Sequence, residues 1–185
     1  MKALETERLV VRSFLITDWE ALPEMIVQYE ASEYAVYDHQ WPTSAEKIKE
    51  ITEWFAGGES FLAVCLKDSG RFIGFVSLNQ EPIEQSREFS IGYCFRFDYH
   101  GKGYASEACR AVIAYAFDQL HAQCVVTGTA AANQPSCRLL ERLGFRRTAE
   151  SIASFRNSQD GKPIEFLGYT YAISSDEWVA ARKRE

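Results

Sequence analysis

The amino-acid sequence predicts an α+β fold within the broad α/β class: one mixed sheet flanked by helices. At 185 residues, the chain is long enough for a single domain with a full hydrophobic core. Apolar residues make up 46% of it and aromatic residues 14%, which favours a packed globule over a disordered chain. The predicted elements follow the order β-α-α-β-β-β-α-β-α-β-β, unlike the regular repeat of a doubly wound sheet. We therefore expect one domain over residues 1–185.

The first part of the chain predicts a strand followed by two helices. Arg8–Phe14 alternates between apolar and polar residues and is rich in valine, which is typical of a strand. A short helix is expected next, capped by Thr17 or Asp18 and ending at Ile26 or Val27. The second helix begins at Thr43-Ser44-Ala45-Glu46, which resembles a capping box, and ends at Gly57-Gly58.

Three strands are expected next. Ser60–Lys67 and Arg71–Asn79 are apolar runs joined at Asp68-Ser69-Gly70, which predicts a β-hairpin. Glu88–Phe97 is the third strand of this group.

The remaining elements alternate between helices and strands. Apolar residues at helical spacing predict a long helix from Ala105 to Leu120. After it we expect a strand, a helix ended by Gly144 and two more strands: Gln123–Ala130, Ser136–Leu143, Phe145–Arg156 and Ile164–Ser174.

Charge and cysteine content narrow the class of protein. Lys and Arg number 20 against 26 Asp and Glu, and a net charge of −6 argues against a nucleic-acid binder. We expect no signal peptide or membrane span, because no apolar run is long enough. The cysteines form no metal-binding or disulfide pattern, which predicts the reducing cytoplasm and no metal site; they are Cys65, Cys94, Cys109, Cys124 and Cys137.

A glycine-rich stretch precedes the long helix and reads Tyr-His-Gly-Lys-Gly-Tyr-Ala-Ser-Glu-Ala from Tyr99 to Ala108. Gly101 and Gly103 allow close approach of the backbone, and the first helical turn has N–H groups without intrahelical partners. Together with the helix dipole and Lys102, these groups favour an anion such as a cofactor phosphate. A simple turn before a helix is the alternative. The spacing matches neither a P-loop nor the dinucleotide fingerprint.

Three stretches in a fixed order carry a resemblance to a known enzyme family. His100-Gly101-Lys102-Gly103-Tyr104-Ala105 fits the loop Gln/Arg-x-x-Gly-x-Gly/Ala in all but its first position. Upstream, Ile91-Gly92-Tyr93 is similar to a Glu-Ile-Gly-Tyr strand, and downstream the residues from Asn133 to Phe145 match Asn-x-x-Ser-x-Arg-Leu-Leu-Glu-x-Leu-Gly-Phe. The chain thus resembles the GNAT superfamily of acyl-CoA-dependent N-acetyltransferases, and within it the ribosomal-protein N-terminal acetyltransferases (RimJ/RimL-like). The resemblance implies a mostly antiparallel sheet splayed between its central strands.

The same resemblance implies acetyl-CoA as cosubstrate. Tyr93, Cys94 and Phe95 would pair with the pantetheine arm as an added strand. Asn133 would bond the same arm or cap the helix that follows it. The diphosphate would lie against backbone N–H groups of the loop: Gly101, Lys102, Gly103, Tyr104, Ala105 and Ser106.

The implied reaction is direct attack of a neutral amine on the thioester, without an acyl-enzyme. A backbone N–H near Cys94 would polarise the carbonyl. Ser136 would lie near the thioester sulfur, or is only a polar residue of the first helical turn. Glu165 would recognise the amine, or is a surface carboxylate.

The chain departs from the family at three positions. His100 replaces the usual Gln or Arg of the loop, and Leu140 stands where other members have a Tyr general acid. Ser90 occupies the position of a Glu that helps to deprotonate the amine in many relatives. Glu88 lies two residues earlier on the same strand face and would act through water, or is a solvated edge carboxylate.

Only general acid–base chemistry indicates the chemical class of the acceptor amine. A lysine amine costs about 3 kcal/mol more to deprotonate at neutral pH than an α-amine. A chain without a clear general base therefore favours a peptide N-terminus or an amino sugar over a lysine or polyamine, and we expect the α-amine of a protein or peptide N-terminus. A small-molecule amine (polyamine, amino sugar or antibiotic) and a catalytically weak acyl-CoA-binding module are the alternatives. A homodimer stays possible. The aromatic stretch from Tyr29 to Trp41 is expected to form one wall of the acceptor site.

Overall fold

The computed structural model describes residues 2–80 and 87–182, which form eight strands and five α-helices. The strands are β1 (Leu4–Glu5), β2 (Leu9–Ser13), β3 (Phe61–Leu66), β4 (Phe72–Gln80), β5 (Glu88–Phe95), β6 (Cys124–Ala130), β7 (Arg146–Ala153) and β8 (Phe166–Ser174). The helices are α1 (Leu22–Glu30), α2 (Ala45–Gly57), α3 (Tyr104–Asp118), α4 (Gln134–Arg142) and α5 (Ser175–Arg182).

The strands are hydrogen-bonded in the order β1-β2-β3-β4-β5-β6-β8-β7. β5 and β6 are parallel, whereas β1–β2, β2–β3, β3–β4, β6–β8 and β7–β8 are antiparallel. The predicted fold class, a mixed and mostly antiparallel sheet with helices, is confirmed.

The described residues cluster into two compact units. The first contains residues 2–35, 40–78 and 93–112; the second contains residues 36–39, 79–80, 87–92 and 113–182. The prediction of a single domain over residues 1–185 stays a prediction.

The first unit is built on the antiparallel strands β1 to β4 and an aromatic core. Leu9 pairs with Leu66 and Ser13 with Leu62, which fixes the register of β2 against β3. Phe55 on α2 stacks on Phe61 with ring centroids 3.9 Å apart and lies 5.0 Å from Phe14. Aromatic rings in such close contact stabilise the folded state by more than the burial of their apolar area alone.

The second unit is built on β6, β8 and β7. β6 pairs with β8 from Cys124–Ser174 to Ala130–Gly168. Trp178, only 1% exposed, stacks on Phe117 at 5.9 Å and attaches α5 to the core of this unit. The pattern of residues 175–182 did not predict this helix.

The first helical region differs from its prediction. In place of the short helix expected from its cap at Thr17 or Asp18, the structure has a 3-10 turn over Ile16–Glu20 followed by α1. Pro23 stands in the first turn of α1, where the missing N–H costs nothing. Asp18 accepts a hydrogen bond from the backbone N of Leu15 (2.8 Å) and pairs with Arg12 (2.7 Å), and these two contacts stabilise the 3-10 turn.

All five cysteines are free thiols. Burial raises the pKa of Cys109, so this thiol stays protonated and acts as a small apolar side chain. Among the described residues, no helix is both long and apolar enough to cross a membrane.

Candidate functional site

The glycine-rich loop joins β5 to α3 in the conformation that its glycines predict. Gly101 has φ +72° and Gly103 has φ +81°, in the left-handed region that favours glycine. Gly103 directly precedes α3, and its carbonyl accepts a hydrogen bond from Glu107 N at 3.0 Å. N–H groups of the first helical turn lack intrahelical acceptors, so the start of α3 is suited to an anion.

One side of the loop is attached to α1. Arg96 is 6% exposed, and its guanidinium pairs with Glu24 on α1 and with Asp98 (2.9 Å). Gln28, also on α1, accepts a hydrogen bond from the backbone N of Phe97 at 2.9 Å. The hydrogen bond from Arg96 holds the pKa of Asp98 below its usual range. A buried cation with two carboxylate partners thus sets where the loop leaves β5.

The other side of the loop is attached to the start of β2. The Glu107 carboxylate, in the first turn of α3, accepts hydrogen bonds from Thr6 Oγ1 (2.6 Å), the backbone N of Arg8 (2.8 Å) and Arg8 Nε (2.7 Å). Burial alone would raise the pKa of Glu107, but these hydrogen bonds outweigh it and the pKa is lowered. Arg8 NH1 donates to the carbonyl of Lys102 at 3.0 Å, and its guanidinium carbon lies 4.5 Å from the centre of the Tyr104 ring.

Two cationic or titratable side chains of the loop fold back on the loop itself. His100 Nε2 lies 3.0 Å from the carbonyl oxygen of Phe95. Lys102 Nζ donates to the carbonyl of Asp98 at 2.8 Å and lies 5.3 Å from the centre of the Tyr99 ring. His100, where the family pattern has Gln or Arg, therefore helps to close the connection between β5 and the loop.

The end of β5 lies unusually close to β4. A Cβ atom on Gly74 would meet the carbonyl oxygen of Cys94 and would lie 2.8 Å from Phe95 Cα. Next to it, the backbone N of Arg96 donates to the carbonyl of Ile73 at 2.9 Å. Cys94 is half-buried and packs against the aromatic core. The sequence pattern did not single out Gly74, because a glycine within an apolar strand reads as an ordinary strand residue.

In the second unit, Asn133 caps α4. Its Oδ1 accepts a hydrogen bond from the backbone N of Ser136 at 3.2 Å, and this makes α4 begin at Gln134, two residues before the predicted start. Ser136 is half-buried in the first turn of α4. Leu140, 1% exposed, is a core residue of this unit.

The structure separates the two candidate carboxylates, Glu88 and Glu165. In the strand register, Glu88 on β5 lies opposite Cys124 on β6, and Cys124 lies opposite Ser174 at the end of β8. Glu165 directly precedes the other end of β8, which is nine residues long and spans roughly 30 Å at about 3.3 Å per residue. Because the two carboxylates lie at opposite ends of this strand, they cannot act on one amine.

Glu165 lies at the same end of the second unit as Ser136. Two residues after Glu165, the carbonyl of Leu167 accepts a hydrogen bond from Ala131 N at 2.8 Å, in the turn that leads to Asn133 and α4. Glu88 lies at the far end, where burial and the negative charge of Glu88 raise the pKa of Cys124.

The aromatic stretch from Tyr29 to Trp41 is divided between the two units, and its role as a wall of the acceptor site stays a prediction. Residues 36–39 belong to the second unit, where Arg156 Nε donates to the carbonyl of Asp38 at 2.7 Å and Tyr37 lies 5.2 Å from Phe166. Trp41 belongs to the first unit and packs 5.9 Å from Phe75. No local sequence pattern around Arg156 indicates its contact with Asp38, because the two residues are 118 positions apart in the chain.

Comparison with known proteins identifies relatives over nearly the whole chain. Residues 8–146 match the family model described as "Acetyltransferase (GNAT) domain". Two proteins of Bacillus subtilis (strain 168) are similar in sequence. The "Uncharacterized N-acetyltransferase YnaD" is 30% identical, over 95% of this chain and 98% of its own. The "Putative ribosomal N-acetyltransferase YdaF" is 31% identical, over 93% and 94%.

A solved structure gives the same picture of the fold. The crystal structure of an acetyltransferase of the GNAT family from Bacillus anthracis superimposes with a TM-score of 0.78 at 26% identity. The match covers 94% of this chain and 99% of that protein.

Proposed function

The chain belongs to the GNAT acetyltransferase family, an acetyl-CoA-dependent family, and on that premise we propose that it transfers an acetyl group directly to the α-amine of a protein or peptide N-terminus. The observation that supports the acetyl-CoA part of the proposal is the loop before α3, where two glycines with positive φ lead into the helix. Contacts from α1 and from the start of β2 hold this loop in place.

We assign the binding of acetyl-CoA to residues that both the family resemblance and the geometry of the loop favour. The diphosphate would accept hydrogen bonds from the backbone of residues 101–106, and the pantetheine arm would pair with Tyr93, Cys94 and Phe95. Asn133 would bond the pantetheine arm through its amide NH₂, because its Oδ1 is engaged with Ser136 N.

We expect Gly103→Val to weaken CoA binding about tenfold or more, which corresponds to about 1.4 kcal/mol of binding free energy. A β-branched residue is strained at φ +81°, and its Cβ would lie 3.3 Å from Arg8 NH2. Titration calorimetry with CoA measures the effect. Lys102→Ala should cost less, because the backbone donors remain.

Gly70→Val is the matched control for this substitution. Gly70 also has a positive φ, +68°, in the turn between β3 and β4, and its Cβ would meet nothing within 4 Å. It should therefore share the backbone strain but keep CoA affinity. A folded Gly103→Val protein with unchanged CoA affinity would contradict the assignment of the loop.

For the acceptor, we propose an α-amine, with Glu165 as the group that recognises it. An α-amine has a pKa about 2 units below that of lysine, so less help is needed to deprotonate it. The relative named as a ribosomal N-acetyltransferase supports a protein substrate. Glu165 is preferred over Glu88 because it lies at the same end of β8 as the turn leading to Ser136.

A panel of three amines tests the acceptor class. It contains a peptide with a free N-terminus and no lysine, the same peptide blocked at its N-terminus with one lysine added, and spermidine. CoA release is followed with a thiol reagent. We expect the first peptide to give the highest kcat/KM, whereas preference for spermidine would establish the small-molecule alternative.

A catalytically weak acyl-CoA-binding module is the second candidate. This candidate is favoured because Leu140, which stands in the place of the usual Tyr general acid, is a buried core residue. Such a module would bind CoA with normal affinity but would release none in the presence of excess amine. Any amine of the panel that releases CoA in proportion to acetylated product excludes this candidate.

We expect transfer to proceed through a ternary complex without an acyl-cysteine. Cys94 packs against the aromatic core, so Cys94→Ala should keep most of the activity. Double-reciprocal plots at several amine concentrations should intersect. An acetylated Cys94 that passes its acetyl group to added amine would contradict direct transfer.

Asn133 offers a substitution that separates its two roles. Asn133→Asp keeps an oxygen to cap α4 but removes the amide NH₂, so it should weaken CoA binding while the melting temperature stays close to that of the unmodified protein. Asn133→Ala should lower both, with about 1 kcal/mol of stability lost with the cap. Equal CoA affinity in Asn133→Asp and the unmodified protein would leave Asn133 as a helix cap only.

A further inference from the structure

A single arginine, Arg8, lies just before β2 and contacts both the loop that precedes α3 and the first turn of α3. Its NH1 donates to the carbonyl of Lys102 at 3.0 Å, between the two glycines. Its Nε and NH2 lie 2.7 and 2.6 Å from Glu107 Oε2, in the first turn of the helix. Its guanidinium also covers the ring of Tyr104, which lies between these two points.

The partner of Arg8 is a carboxylate in an unfavourable place for anion binding. Glu107 is the fourth residue of α3, so its negative charge lies close to the helix N-terminus that would receive a diphosphate. A carboxylate there competes with the ligand for the same positive end of the helix dipole. The Glu107 side chain is only 17% exposed, so water screens its charge less than at the open surface.

We infer that Arg8 is a positioning residue for acyl-CoA: it neutralises Glu107 and fixes the Lys102 carbonyl, so that the amides of the 101–106 loop serve the diphosphate. The inference rests on the proposed function of this loop. Arginine suits the task because its planar fork binds Glu107 through two nitrogens while the third reaches the Lys102 carbonyl. A lysine has one charged centre and cannot make both contacts.

Two acetyl donors separate this role from a general effect on folding. Acetyl-CoA carries the diphosphate, whereas acetylpantetheine lacks it but has the same thioester and amide-bearing arm. Arg8→Gln should raise the KM for acetyl-CoA and the Kd for CoA about tenfold, with kcat within about twofold of the unmodified value. The kcat/KM for acetylpantetheine should not change. Arg8→Lys should lie between Arg8→Gln and the unmodified protein.

The double variant Arg8→Gln/Glu107→Gln tests the role of charge. Removing the unpaired carboxylate should restore CoA affinity to within about threefold of the unmodified protein, as expected for a coupled pair. Lys67→Gln is the control: it breaks the Lys67–Glu5 pair (2.9 Å) and the hydrogen bond from Lys67 to the Thr6 carbonyl in the same segment. Lys67→Gln should leave the kcat/KM values for acetyl-CoA and for acetylpantetheine unchanged.

Three outcomes overturn the inference: unchanged CoA affinity in folded Arg8→Gln, equal losses with the two donors, or a double variant as weak as Arg8→Gln alone. Circular dichroism and melting temperature establish folding for each variant. Failure of the unmodified protein to bind CoA is a distinct result, since it refutes the proposed function and the inference with it.

Discussion

Gly74→Ala is expected to lower kcat by about a hundredfold and the free energy of unfolding by about 1–3 kcal/mol. The added Cβ would meet the carbonyl oxygen of Cys94 and lie 2.7 Å from Phe95 Cδ1 and 2.8 Å from Phe95 Cα. Two of these contacts are with backbone atoms, so no side-chain rotation can relieve them. β5 must move away from β4 at the residues that we assign to the pantetheine arm and the thioester carbonyl.

Steady-state kinetics and thermal unfolding measure the two effects. The matched control is Gly128→Ala in β6, where the nearest atom to a new Cβ is the Tyr169 carbonyl oxygen at an ordinary 3.8 Å. That variant should lose no stability, because alanine suits a strand better than glycine. If Gly74→Ala keeps both its melting temperature and its kcat, the close approach of the two strands has no role in catalysis.

Ser136→Ala is expected to lower kcat by about tenfold to a hundredfold with little change in CoA affinity. We assign the Ser136 hydroxyl to protonation of the departing CoA thiolate. A thiolate with a pKa near that of free cysteine, about 8.5, needs only modest help at neutral pH, which keeps the effect within this range. The backbone N of Ser136, not its hydroxyl, binds the Asn133 cap, so the alanine variant keeps the start of α4.

The pH profile distinguishes this role from a structural one. Above the pKa of the thiol, about 8.5, the departing thiolate is stable without a proton, so the loss in kcat should be largest below this pH and should shrink toward alkaline pH. Ser151→Ala, at an exposed position on β7, is the control and should match the unmodified protein. An intact kcat in Ser136→Ala would show that solvent protonates the thiolate.

The parts of the site that are local in sequence were predictable. The two glycines before α3 depend on local backbone angles, and the structure has both with positive φ. The start of α2 was predicted to within one residue: the capping-box pattern begins at Thr43, whereas the N-cap is Ser44, which accepts a hydrogen bond from Lys47 N. Hairpin and helix periodicity likewise placed most elements to within two residues. α5 was missed because Trp178, rather than a periodic apolar stripe, attaches it to the core.

The parts that depend on distant contacts were not predictable. Glu107 and Arg8 are 99 residues apart in the chain, and nothing near either one indicates the other. Both Glu88 and Glu165 read as acidic residues close to the acceptor. Only the pairing register of β5, β6 and β8 shows that they lie at opposite ends of a strand.

Residue types and their spacing along the chain were enough to predict the fold class, the family and the loop that we assign to the cofactor. Three features became visible only once the chain was folded: which carboxylate lies at the Ser136 end of β8, the clash that a side chain on Gly74 would make with β5, and the pairing of Arg8 with Glu107. The physical reason is that register, close backbone approach and ion pairing arise only when segments far apart in the chain are packed side by side.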